Sequence, residues 1–283
     1  MKRFFLQLAV AALPLMLFLA AGCESFFNDI ADEPCKIAFR STRAGGVEIF
    51  TMNADGSEQT QITFGGANNK SPRWSPDGEK ITFVKGTFIY IMDADGSNQV
   101  QITSGAADAY PSWSPDGTQL VYSDGTNLRI VDIASKTIVG PATTTTGSTP
   151  HWSPRSGKIA FMNANNIYTV NPDGTGVYPI TSLGTNLTPF WSINGSQILF
   201  ARNVGDNQIH IINDDGSDLM QLTFFPTGGF NTNSPSMSAD GERIVFHSNI
   251  STTWQIHIMD ADGSNTNQLT FEGVNTEPCF SPQ

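Results

Sequence analysis

The hydrophobic pattern of the chain changes character once. Phe4 to Ala21 is almost wholly apolar, and from Cys35 onward the apolar residues fall into short runs broken by Gly, Pro, Asp and Asn. Lys80 to Lys85 alternates, with Ile81 and Phe83 between polar neighbours, whereas Phe88 to Asp93 is nearly continuous. Alternation at period two marks a strand covered on one face, and a short continuous run marks a strand covered on both. No stretch after Cys35 carries a helical period, so the folded part is predicted to be all-β.

These runs recur. Ser71-Pro72-Arg73-Trp74-Ser75-Pro76-Asp77-Gly78 returns as Tyr110-Pro111-Ser112-Trp113-Ser114-Pro115-Asp116-Gly117, and in weaker form around Trp152, Trp191, Met237 and Phe280. A repeat of about 40 residues built from short strands is the spacing of a β-propeller blade. Each unit carries four strand signals. In the unit starting at Ser71 they are Ser71–Ser75, Lys80–Lys85, Phe88–Asp93 and the short polar Gln99–Thr103, whose polarity suits an outer edge. The turns Ser75-Pro76-Asp77-Gly78 and Asp93-Ala94-Asp95-Gly96 have the Pro, Asp and Gly that tight turns require. Proline at position 72 and its equivalents fits an inner edge, since it lacks a ladder donor. The residue two places on, Trp74 or its counterpart, is predicted to wedge between blades.

The repeats are out of phase with the folded part. It opens on Cys35-Lys36-Ile37-Ala38-Phe39, a second-strand match, and closes on Pro278-Cys279-Phe280-Ser281, an inner-strand match. Inner and second strands each number six. One ring of six four-stranded blades is therefore expected over 35–283, closed by pairing the C-terminal inner strand with the N-terminal blade. Cys35 and Cys279 then fall on neighbouring strands, and a disulfide between them would lock the ring. Two unpaired thiols, or a diagonal offset too long to bridge, are the alternatives.

Residues 1–22 read as a signal peptide: Lys2 and Arg3, an apolar run, then small residues before Cys23. Pro14 and the Gly22-Cys23 exit argue against a permanent membrane span. Leu19-Ala20-Ala21-Gly22-Cys23 resembles the bacterial lipobox, which implies lipid transfer to Cys23 and cleavage before it, with 23–34 as a tether. A plainly secreted protein is the alternative. Net charge is −11, with no basic run, so nucleic acid is not an expected partner. The acidic surface would be repelled by anionic headgroups, which leaves membrane contact to the lipid anchor. A monomer in the cell envelope, periplasmic or surface-exposed, is expected.

Signatures of chemistry are sparse. No Gly-x-Ser-x-Gly elbow, His-Glu-x-x-His, Cys-x-x-Cys or phosphate loop occurs. His210 and His257 take a third-strand position held elsewhere by Phe50, Tyr90 and Tyr168, and His151 precedes Trp152 on an inner strand. The Asp-x-Asp-Gly turns are too short for a calcium loop, and turn chemistry explains them. No cofactor, metal or catalytic residue is assigned, and the chain is read as a non-enzyme.

The motif Pro-x-Trp-Ser-Pro-Asp-Gly, then Lys-Ile-x-Phe, Ile-x-Ile-Met-Asp-Ala-Asp-Gly-Ser and Gln-Ile-Thr, resembles the TolB-type propeller repeat from Cys35 to Gln283. In that family the propeller docks proteins across its mouth, a peptidoglycan-associated lipoprotein among them. The chain departs from the family in lacking room for a preceding α/β domain and in carrying its own lipid signal, so only the fold and a binding face are carried over. Loops leading into the inner strands vary, whereas the Pro-Asp-Gly turns of the other face do not. Partner binding is therefore expected on the loop face, at Phe225 and Phe230 of the long glycine-rich loop and at Lys70, Arg73, Tyr110, His151 and Phe190 around the mouth. A protein partner in the envelope is the first reading. A cell-wall glycan binder and a channel-mouth lyase or hydrolase are the alternatives.

Overall fold

A computed structural model describes residues 35–282, apart from 106, 141–145 and 227. The signal peptide, Cys23 and the tether lie outside the described residues. Every regular element among those described is a strand. The strands form six antiparallel sheets around a ring, five of four strands and one of three. In the three-stranded third blade, a bridge between Val131 and Ile138 stands beyond the third strand.

The second blade shows how sequence sets the elements. Its second and third strands, Lys80–Lys85 and Phe88–Asp93, coincide with the predicted runs. Its outer strand is only Val100–Gln101, shorter than expected. The Gln-x-Thr motif ends it. Thr103 Oγ1 accepts the N–H of Ile89 at 3.0 Å, and Gln101 Nε2 donates to the Thr103 carbonyl at 2.7 Å. A side chain thus takes over a backbone donor where the ladder stops. Thr63, Thr181, Thr223 and Thr270 accept the matching N–H groups of Ile49, Ile167, Ile209 and Ile256.

The ring closes as the repeat phase predicts. The strand Asn275–Phe280 pairs with Lys36–Ser41, placing Ile37 opposite Phe280 and Ala38 opposite Cys279. The same register corrects the expected disulfide. Cys279 lies opposite Ala38, three residues from Cys35, an offset of about 10 Å along a strand. An odd offset also sends the two side chains to opposite faces of the sheet. Cys35 belongs to the core between the sixth and first blades, whereas Cys279 lines the channel. Cys279 is a free, buried thiol.

The core lies between blades. Ile37, Phe39, Phe50, Met52 and Phe280 of the first blade pack against Val245, Ile256, Ile258 and Leu269 of the sixth, and five similar clusters fill the other gaps. Phe39, Phe83, Phe161, Phe200 and Phe246, one in each second strand except that of the third blade, are fully buried. The predicted wedges take part: Trp113, Trp152, Trp191 and Phe280 are buried members of these clusters, while Trp74 and Met237 pack against theirs partly exposed. Each such burial contributes about 2–3 kcal/mol.

Candidate functional site

The strand order gives the ring two unlike faces. One, the turn face, carries the Ser-Pro-Asp-Gly and Asp-Gly turns. The other, the loop face, carries the loops between second and third strands and those between blades. The turn face consumes its own polar groups. Ser75 Oγ donates to Asp77 Oδ1 at 2.5 Å and accepts the Lys80 N–H at 2.9 Å, while the Asp77 carboxylate accepts the Glu79 N–H at 3.0 Å. The Ser75 hydroxyl, with the Glu79 N–H, holds the Asp77 carboxyl below the usual carboxylate range. Ser114 with Asp116, Ser192 with Asn194 and Ser238 with Asp240 repeat the bond. In the other turns Asp55, Asp95, Asp215 and Asp262 accept the N–H two residues on. That use explains the Asp-x-Asp-Gly pattern without a cation.

At the turn end the channel opens as a cavity of about 350 Å³. Its rim consists of Pro76, Pro115, Pro154, Ile193, Ala239 and Pro282, and the ring beneath holds the four inner-strand tryptophans with Met237 and Phe280. Deeper still stand Arg73, Ser112, His151, Phe190 and Cys279. Three of the predicted mouth residues, Arg73, His151 and Phe190, thus meet at this end and not at the loop face.

His151 is committed to the scaffold. Its Nδ1 accepts the Trp191 N–H of the next blade at 3.2 Å, and its ring lies 3.9 Å from that of Phe190. Burial, with Arg73 nearby, lowers its pKa to about 3, so the ring stays neutral, as an acceptor must. Ser112 Oγ accepts the Trp152 N–H at 3.0 Å, and Ser236 Oγ accepts the Phe280 N–H at 3.1 Å. In three of the six blades the slot before the wedge is therefore a blade-to-blade latch, filled by Ser112, His151 or Ser236. His247 plays a related part: its Nδ1 accepts the Glu277 N–H at 3.3 Å, and burial and Arg40 lower its pKa to about 3.

Toward the loop end, each inner strand bulges just before its proline. The residues there, Ser71, Tyr110, Thr149, Thr188, Ser234 and Glu277, all have φ between 47° and 57°. Left-handed backbone is uncommon for non-glycine residues, and a residue before proline is further restricted. The bulge redirects the N–H toward the preceding blade. That of Ser71 reaches Glu277 Oε2 at 2.6 Å, and that of Ser234 reaches Thr188 Oγ1 at 3.1 Å. Tyr110 stands in this ring, its phenol pKa raised by burial and by Glu277. Lys70 precedes the bulge, opposite Val84.

The loop face corrects the sequence expectation about phenylalanine. Phe225 is not exposed: it packs on the core with its ring 6.4 Å from Phe246. Phe230 is half-buried, in a loop pinned where Asp206 accepts the N–H groups of Gly228 and Gly229 at 2.7 and 3.1 Å. The exposed residue of that segment is Phe224, at 76%, matched by Phe64 at 69%, Phe271 at 74% and Leu183 at 73%. Phe64, Phe224 and Phe271 each follow the threonine of a Gln-x-Thr motif, and Leu183 lies one place further on. Their loops follow the fourth, fifth, sixth and first blades, which are consecutive around the ring, so together they form an apolar arc over half the outer rim. Sequence reasoning missed Phe64, Phe271 and Leu183, although a signal existed. The same slot holds serine at Ser104 and Ser182, and a slot open to either phenylalanine or serine is a solvent slot.

No group of three or more His, Cys, Asp or Glu able to hold a metal is present among the described residues. The family described as the TolB beta propeller domain matches residues 25–140 and 89–283. TolB from Acinetobacter baumannii is similar at 20% identity and a TM-score of 0.77, over 89% of this chain and 68% of that one. A putative TolB from Agrobacterium tumefaciens is similar at 21% identity and a TM-score of 0.68, over 85% and 90%. An oligogalacturonate lyase in complex with manganese is similar at 16% identity and a TM-score of 0.57, over 82% and 73%. These likenesses show a shared fold. Comparison with curated proteins gives no match.

Proposed function

Because the chain belongs to the TolB beta-propeller family, we propose that it is an envelope binding protein whose loop face docks a protein partner. The observation that carries this reading is the apolar arc of Leu183, Phe224, Phe271 and Phe64. Large apolar side chains grouped on one rim, each about three-quarters exposed, are what a protein interface covers. The turn face offers no comparable projection, since its polar groups are closed on themselves. A lyase reading finds less support: His151, which lines the channel, and His247 both accept backbone N–H groups and are spent on the scaffold.

The lipobox-like segment ending at Cys23 supports a lipid anchor. The first strand, Lys36–Ser41, starts at the turn end, where the Cys35 carbonyl accepts the Ala54 N–H of an Asp-Gly turn. An anchor upstream of Cys35 therefore holds the turn face toward the membrane and presents the loop face away from it. The mass of the mature N-terminal peptide tests the anchor directly.

The docking test is affinity capture from an envelope extract with the Phe224→Ser/Phe271→Ser variant beside the unaltered protein. A partner held by the unaltered protein and lost from the variant, with the denaturation midpoint unchanged, is the expected result. Equal capture by both ends the reading, and retention of purified wall glycan in place of a protein redirects it to the glycan alternative.

A further inference from the structure

The cavity at the turn end has no part in that reading. We propose that it is the docking site of the chain's own segment 24–34, which seats Phe26 and Phe27 within the apolar rim. The first support is the chemistry of the cavity. Its rim is wholly apolar, its next ring is aromatic but for Met237, and the only charged residues lining it are Arg73 and Arg155. In a chain of net charge −11, a cavity with Arg155 beside its rim, Arg73 deeper and no carboxylate on its wall selects an apolar, acidic occupant.

The second support is the segment itself. Glu24-Ser25-Phe26-Phe27-Asn28-Asp29-Ile30-Ala31-Asp32-Glu33-Pro34 combines three large apolar side chains with four carboxylates and has no basic residue. It is the chemical complement of the cavity. The third support is where the segment joins the fold. Ser281 and Pro282 form one wall of the cavity. The Lys36 N–H donates to Ser281 Oγ at 2.9 Å, and Cys35 Sγ lies 3.8 Å from the same oxygen. The segment therefore leaves the fold beside the cavity that it complements. Phe27 precedes Cys35 by eight residues, an extended reach of about 26 Å, ample for a cavity whose wall is the starting point. Tethering at the rim also raises the effective concentration of the segment over that of any free peptide.

The test uses the mature chain in detergent, with a photo-crosslinking phenylalanine in place of Phe27. The expected product is an intrachain crosslink to a peptide lining the cavity. Ile193→Asp on the rim and Arg155→Glu beside it, both at exposed positions, are expected to abolish the crosslink. Each should also speed chymotrypsin cleavage after Phe26 and Phe27 by at least about tenfold, or about 1.4 kcal/mol of lost docking. A folded denaturation midpoint is the control. Crosslinks to the loop face or to a second copy, or equal cleavage in all three proteins, overturn the proposal. Partner capture on the loop face is unaffected by either outcome, so the two readings fail separately.

Discussion

The two faces of this ring come from the same six repeats, yet they handle polarity in opposite ways. On the turn face, serine, aspartate and backbone N–H groups bond to one another within a few residues around the mouth of the central cavity. On the loop face, connections differ in length and conformation, and Phe64, Phe224 and Phe271 project into solvent. The difference teaches where each kind of residue is spent. Side chains of the turn face close on one another, whereas Phe64, Phe224 and Phe271 on the loop rim belong to none of the core clusters.

The sharpest way to break that comparison is to truncate one side chain from each region. Trp191 is fully buried between blades, and Trp191→Ala should cost about 3–5 kcal/mol. Phe224→Ser should shift stability by no more than about 0.5 kcal/mol. Urea denaturation of the two variants checks both, and comparable losses would show that the loop rim is structural after all.

A smaller effect comes from acid. His151 and His247 charge near pH 3 in the folded chain but near 6.5 when unfolded, because burial, with Arg73 or Arg40 nearby, disfavours the cation. The unfolded chain therefore takes up protons first, and stability falls as pH drops from about 6.5 toward 3. Between pH 7.5 and 5 each imidazole should cost up to about 2 kcal/mol. His257, at about 4, follows the same sign. His151→Ser keeps an acceptor, as Ser112 and Ser236 do, and should flatten the profile measured by denaturant midpoints at the two pH values. A smaller effect again is expected at Asp77→Ala, which removes one turn carboxylate and should cost about 1 kcal/mol. Its contribution is present at neutral pH and lost below the usual carboxylate range, as a lowered pKa requires, and thermal melts at pH 7 and 3 check it.

The fold was legible because every blade repeats its turn chemistry, and because the phase of Cys35 against Phe280 announces the closure. The latches were not. His151 looks like a channel ligand until the Trp191 N–H is seen to fall on its Nδ1, and sequence spacing does not give that orientation. Phe225 and Phe224 are indistinguishable by composition. What separates them is Thr223, whose side chain takes the Ile209 N–H and fixes which of the next two residues turns inward. The cysteine pairing failed on a three-residue register, which turn motifs leave undetermined.

Closure of the ring has a consequence for biosynthesis. The strand Lys36–Ser41 waits for Asn275–Phe280, made more than two hundred residues later. Until that piece arrives, the first blade presents a bare edge that can recruit stray strands. Docking of Asn275–Phe280 is then the step that closes the ring, and a product truncated before Asn275 should be the species that chaperones and proteases remove.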